Sequence, residues 1–222
     1  MYTTNMKDSH YKKLRLPSNP LIQGYDITKL SVNQPGAGQL QPTAELSLLS
    51  QTTLDAYASV GLVPLRIFVL GNKSFVDDDP AFEKRCAAHS DLHWVNGKWE
   101  NEIFAINYEL TPDTHRVGWK FWDIKATPVP PAQDPKTEQE TWLAGLHYNA
   151  RQVGSVPNFG NPDDYTIIDQ FEFDCPTLCR VETPHSVHHD NAAAQRYGLS
   201  IRFQHDFKTW DQVVNQLAPL FL

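Results

Sequence analysis

Residues 102–110 read EIFAINYEL. Along this stretch Phe104, Ile106, Tyr108 and Leu110 share one face while Ile103, Ala105 and Asn107 share the other, which is the two-residue period of a β-strand. Working outward, residues 62–70 (LVPLRIFVL) are apolar and β-branched, and 119–124, 165–173, 177–181 and 197–203 are further strand candidates. Two Pro- and Gly-rich stretches, 127–135 (TPVPPAQDP) and 154–164 (GSVPNFGNPDD), read as loops flanking a short helix around 139–148. Residues 44–59 place Leu46, Leu49, Leu54 and Tyr57 near helical spacing, with Thr43 as N-cap and Gly61 as stop. Residues 209–220 (TWDQVVNQLAPL) read as a capped amphipathic helix. Short strands between loops, with helices mainly at the ends, predict a mainly β barrel or sandwich with helical buttresses. One domain over 1–222 is expected, with an extended N-terminal arm over 1–40 carrying a single strand, a barrel core over 62–203 and the C-terminal helix.

Composition narrows the function. A length of 222 residues suits one domain with a full-sized core. The net charge of −7 argues against non-specific grip on phosphate backbones, which needs clustered Lys and Arg. The basic run Lys12, Lys13, Arg15 reads as solvated surface. Cys86, Cys175 and Cys179 are too few for a disulfide framework, which points to a reducing compartment. Residues 1–8 are polar and no stretch is apolar enough to span a bilayer, so a soluble cytoplasmic protein is expected, with no signal peptide.

The chemistry centres on His89-Ser90-Asp91. Residues two apart on a strand point to the same face, so an imidazole and a carboxylate can meet one metal. The triplet alone is weak, because nine His and seventeen Asp make such a spacing common by chance, and His188-His189-Asp190 is a second instance. Read alone, His89 and Asp91 equally suit a turn-stabilising pair. A facial triad needs another His, returned by a later strand, and half its coordination sphere left open. His185, in Thr183-Pro184-His185-Ser186-Val187, supplies it on the far side of several strands. For the second triplet only His205 follows, with little chain between, so the first is assigned to the metal and His188, His189 and Asp190 to a polar turn. A zinc reading of Cys175 and Cys179 lacks the CxxC spacing and a second pair. Trp94, Trp99, Trp119 and Trp122 suit either a substrate mouth or, more simply, the core.

HSDL, then FAINYEL with WKFW after it, then TLCRVETPHSV, then RYGLSIRF resemble the ordered motifs of Fe(II)/2-oxoglutarate-dependent oxygenases, in particular the aspartyl/asparaginyl hydroxylase-like and small phage-borne members. The resemblance covers roughly residues 62–203 and lies in the order and spacing of His89, Asp91, His185 and Arg196. It implies a double-stranded β-helix, the jelly-roll or cupin-like barrel, with iron on His89, Asp91 and His185. It also implies 2-oxoglutarate as co-substrate, dioxygen as the other partner, and hydroxylation of a substrate with release of succinate and CO₂. Arg196, eleven residues beyond His185, would pair the distal carboxylate of 2-oxoglutarate through its planar fork. Ser200 and Asn107 are the further cofactor-binding candidates, and Arg202, on the same strand face as Ser200, is the rival to Arg196. Two other classes stay open: a catalytically silent barrel used for binding, and a cupin-like metal enzyme that does not use 2-oxoglutarate. Substrate choice would rest with the loops 71–83, 127–135 and 154–164.

Overall fold

A computed structural model describes residues 9–30, 43–70, 89–95, 98–111, 117–125, 145–147, 151–153, 156–158, 165–189 and 197–222. In chain order its strands are β1 (Tyr11–Lys13), β2 (Thr43–Ala44), β3 (Val63–Leu70), β4 (His89–Val95), β5 (Lys98–Asn101), β6 (Ala105–Glu109) and β7 (Val117–Ile124), then β8 (Gly145–His147), β9 (Arg151–Val153), β10 (Val156–Asn158), β11 (Tyr165–Glu172), β12 (Thr177–Cys179), β13 (His185–His189) and β14 (Gly198–Gln204). The α-helices among the described residues are α1 (Gln51–Ser59) and α2 (Trp210–Leu217). No helix among the described residues is long and apolar enough to cross a membrane.

The fold is mainly β and antiparallel. One sheet runs β1-β12-β6-β14-β3-β2, and the other runs β11-β7-β13-β4-β5 with β8 also on β4; β9 and β10 form a separate hairpin. Each main sheet interleaves strands from the early and late parts of the chain. Residues far apart in sequence therefore become neighbours across a single strand spacing.

The alternation read in 102–110 is the alternation of β6, and both of its faces are buried. Phe104, Ile106 and Tyr108 join a core with Ile67, Val69, Leu178, Leu199 and Ile201 that is closed by Tyr57 of α1 and by Trp210, Val213 and Leu217 of α2. Inside it the Tyr57 and Tyr108 hydroxyls bond to each other at 2.6 Å. Ala105, on the other face, packs with Trp119, Phe121, Phe171, Cys179 and Val181, contributed by both sheets. The first sheet is thus covered by helices on one side and by the second sheet on the other.

Several expectations are corrected at this level. Residues 44–59 are not one helix: β2 is followed by a 3-10 turn at Leu46–Leu48, and α1 begins only after Ser50, whose Oγ accepts from the Thr53 N–H. Thr43 lies in β2 and caps nothing. Leu49 is extended, buried and bridged to Leu21, and that burial overrides its helical spacing. Gly61 does follow the helix, at φ 72°, where a side chain would be strained. Within the described part of the N-terminal arm, residues 9–30, Tyr11–Lys13 is a strand, and Leu14, Leu16, Leu21 and Leu30 bury the segment against the helix-side core. Residues 145–147 are a strand within the segment expected to be helical, and 156–158 are a strand within an expected loop. The rest of both segments, with 71–83 and 127–135, lies outside the described residues. His188 and His189 are not in a turn; their backbones pair with Gly118 and Val117 as part of β13, and Asp190 lies outside the described residues. The C-terminal helix is capped as expected, with Thr209 and Gln212 forming a capping box.

Candidate metal centre

β4 carries His89 and Asp91 two residues apart on one face, and β13 begins at His185. The two strands pair antiparallel with His185 directly opposite His89, which brings the imidazoles together with ring centroids 4.6 Å apart. Asp91 Oδ1 lies 3.4 Å from His89 Nε2 and 3.9 Å from His185 Nε2. One ligand atom from each of the three residues falls within 4.8 Å of the others, and this is the one such His/Cys/Asp/Glu group among the described residues. Side-chain exposure is 31% for His89, 17% for Asp91 and 2% for His185, so the group opens to solvent on the His89 side.

The surroundings set the protonation of two of the three residues, His185 and Asp91. The Thr183 carbonyl lies 2.9 Å from His185 Nδ1 and can only accept, so Nδ1 carries the hydrogen and Nε2 is left for a metal. Trp119 stacks on the same ring, centroids 4.4 Å apart and planes within 2°. Burial, assisted by neighbouring His89, lowers the His185 pKa to about 3, so the ring stays neutral. Burial alone would raise the Asp91 carboxyl. The Arg202 charge, the His89 hydrogen bond and His185 outweigh it and hold the group far below the usual carboxylate range. Arg202 donates from Nη2 to Asp91 Oδ2 at 2.5 Å, which leaves Oδ1 to face the imidazoles. Cys175 and Cys179 do not join: burial is the main cause that raises the thiols of Cys175, to about 11, and Cys179, and Cys86 lies outside the described residues.

The remaining sequence candidates divide. Asn107 and Ser200 are cross-strand partners on β6 and β14, both buried, and Ser200 precedes Arg202 by two residues on the same strand face. Ser200 Oγ has no hydrogen-bond partner among the described residues. The Asn107 amide sits beside the Cys179 thiol and is otherwise unpaired there. The indole N–H of Trp119 and Nη1 of Arg202 are buried and unpaired in the same sense. Arg196 lies outside the described residues. Trp119 and Trp122 are buried, the latter donating to Ser186 Oγ at 2.9 Å, and they pack rather than line a mouth.

Sequence reasoning missed the layer behind Asp91. Glu102, 2% exposed, lies 3.0 Å from His93 Nδ1 and 3.1 Å from His205 Nε2. His93 stands two residues beyond Asp91 on the same strand face, and that spacing was the available signal. No protein-family model, curated protein or solved structure matches the chain.

Proposed function

We propose that the chain is a non-haem Fe(II) oxygenase dependent on 2-oxoglutarate, with iron held by His89, Asp91 and His185. The observation that carries the reading is the donor set: two imidazoles and one carboxylate, on two paired strands, with one side open to solvent. Two His and one carboxylate with open positions is the donor chemistry of such oxygenases. The order of strands supports a double-stranded β-helix, because β3, β14, β6 and β12 adjoin in one sheet and β4, β13, β7 and β11 in the other.

This chain's own residues do the positioning. Burial keeps His185 neutral, so protons compete weakly for Nε2. Arg202 fixes Asp91 Oδ2 and turns Oδ1 toward the imidazoles. Asn107 and Ser200 offer unpaired buried polar atoms for a co-substrate's carboxylate, and Arg196, just ahead of β14, is its proposed cation. When bound, iron and 2-oxoglutarate together would supply dioxygen activation for hydroxylation of a substrate, with succinate and CO₂ as co-products. One observation favours a metal enzyme that does not use 2-oxoglutarate: Arg202, the arginine of β14, is already committed to Asp91 through one of its two terminal nitrogens.

Anaerobic Fe(II) loading followed by elemental analysis tests the metal. Stoichiometric iron is expected in the wild type and none in His89→Ala, Asp91→Ala or His185→Ala, since each loses a third of the protein ligands. Iron retained by His185→Ala would remove it from the set. Calorimetric titration of 2-oxoglutarate into the Mn(II)-loaded chain tests the co-substrate, and absence of binding selects the second reading.

A further inference from the structure

At its start β4 has a neighbour on each edge. His89 lies directly opposite His185 of β13 on one edge and directly opposite His147 of β8 on the other, where Ser90 faces Leu146 and Asp91 faces Gly145. The register therefore lines up His147, His89 and His185 in one row across three adjacent strands. Each step of that row is one strand spacing, roughly 4.8 Å.

Residues directly opposite in an antiparallel pair share a face of the sheet. His147 thus belongs to the face that carries His89, Asp91 and His185, and Leu146 belongs to the other. The backbone bonds refine the pairing. The Asp91 N–H donates to the Val181 carbonyl and the Asp91 carbonyl accepts from the Glu102 N–H, so neither group is spent on Gly145. Asp91 and Gly145 are then a non-hydrogen-bonded pair, and by the alternation of the ladder His89 and His147 are another. Such pairs are the closer kind, with Cα atoms about 4.5 Å apart against about 5.5 Å. β8 offers the shared face two residues, His147 and Gly145, and glycine has no side chain. Pairing alone does not call for histidine, since β-branched and aromatic residues suit a strand better. Imidazole is the commonest metal ligand, and a centre of two His and one carboxylate keeps positions open for a further donor.

We infer that His147 is a fourth donor of the metal centre, adding a third imidazole to His89, Asp91 and His185. Resting on the metal reading above and not on 2-oxoglutarate, this assignment leaves the ion one open position fewer.

Mn(II) added to the metal-free full chain is the probe. Calorimetry reads its affinity, pulsed electron paramagnetic resonance reads the number of coupled imidazole nitrogens, and the melting temperature of each variant is the control for folding. The wild type should show three nitrogens and His147→Ala two. Mn(II) binding should weaken by at least about 10-fold, the lower end of what losing an outer-shell partner alone costs. If His147→Ala does not fold, His147→Gln keeps much of the bulk and should lose the same nitrogen. Only two imidazoles belong to the His89, Asp91 and His185 set, so a third nitrogen in the wild type needs another histidine and its loss in the variant names it. Two nitrogens in the wild type, or a count unchanged in a folded His147 variant, overturns the inference even where affinity falls, and leaves the metal reading standing. A wild-type chain that binds no Mn(II) overturns the metal reading and this inference with it.

Discussion

Acidifying the metal-free protein should destabilise it beginning near pH 6.5, with His185 the main cause in the upper part of that range. Its side chain is 2% exposed, and its Nε2 has Asp91 Oδ1 as a compensating anion only at 3.9 Å, on a carboxylate whose other oxygen belongs to Arg202. Protonation in the folded state is therefore resisted, and the pKa falls from an ordinary 6.5 to about 3. The unfolded chain binds the proton below pH 6.5 and the folded chain does not, so the stability His185 contributes is complete above 6.5 and is lost toward pH 3. The loss runs at ~1.4 kcal/mol per pH unit, or ~2 kcal/mol by pH 5, a sizeable part of a typical 5–15 kcal/mol. Glu102 acts in the same direction lower down. Its folded pKa of about 2 lies below its ordinary 4.5, so its contribution is lost between pH 4.5 and 2 and the decline steepens there. Urea unfolding of wild type and His185→Gln at intervals from pH 7 to pH 5 measures the effect as a difference, which removes the other histidines. The variant should show the shallower fall. Parallel slopes would mean that His185 titrates normally and that its burial does not keep it neutral.

The Tyr57–Tyr108 hydroxyl pair, 2.6 Å apart in the core, should cost about 1 kcal/mol when either partner becomes Phe, and the double variant should cost less than the sum because one bond is shared; chemical denaturation measures all three. Trp119 stacks on His185, so Mn(II) bound to Nε2 should quench its emission, and Trp119→Phe should remove most of that signal in a fluorescence titration. An unchanged signal in that variant would place the ion away from His185.

What could be read from the sequence follows from what local pattern encodes. β6, β7, β11 and β14 were visible because alternation and β-branched or aromatic content are properties of a single strand. The segment 44–59 misled because a 3-10 turn, an extended Leu49 and a short helix happen to space their apolar residues as one helix would. His188 and His189 read as a turn by polarity, although backbone pairing with β7 makes them strand. His89, Asp91 and His185 were found because a triplet and a returning His state their own spacing. The Arg202–Asp91 and Glu102–His205 contacts, 111 and 103 residues apart in the chain, exist only through the interleaving of early and late strands. Arg202 was accordingly considered for the co-substrate carboxylate, and no local signal shows that β14 aims it at Asp91.

The contents of the space between the sheets separate folding from function. Ala105, Trp119, Phe121, Phe171, Cys179 and Val181 fill part of it as an ordinary apolar core. The same space also holds Asp91, Arg202 and Glu102 with Asn107 and Ser200, several of whose polar atoms have no partner among the described residues. Burying charged groups typically costs several kcal/mol per ion, and apolar residues of similar volume are often neutral or stabilising in their place. A chain selected for stability alone would have continued the aromatic packing through the layer. The polar part begins at the strand pair that brings His89 opposite His185 and runs back through Asp91 and Arg202 to Glu102. Its cost falls on the His89–Asp91–His185 group and on the buried polar residues that adjoin Asp91, which is the distribution expected if binding an ion there is what offsets it.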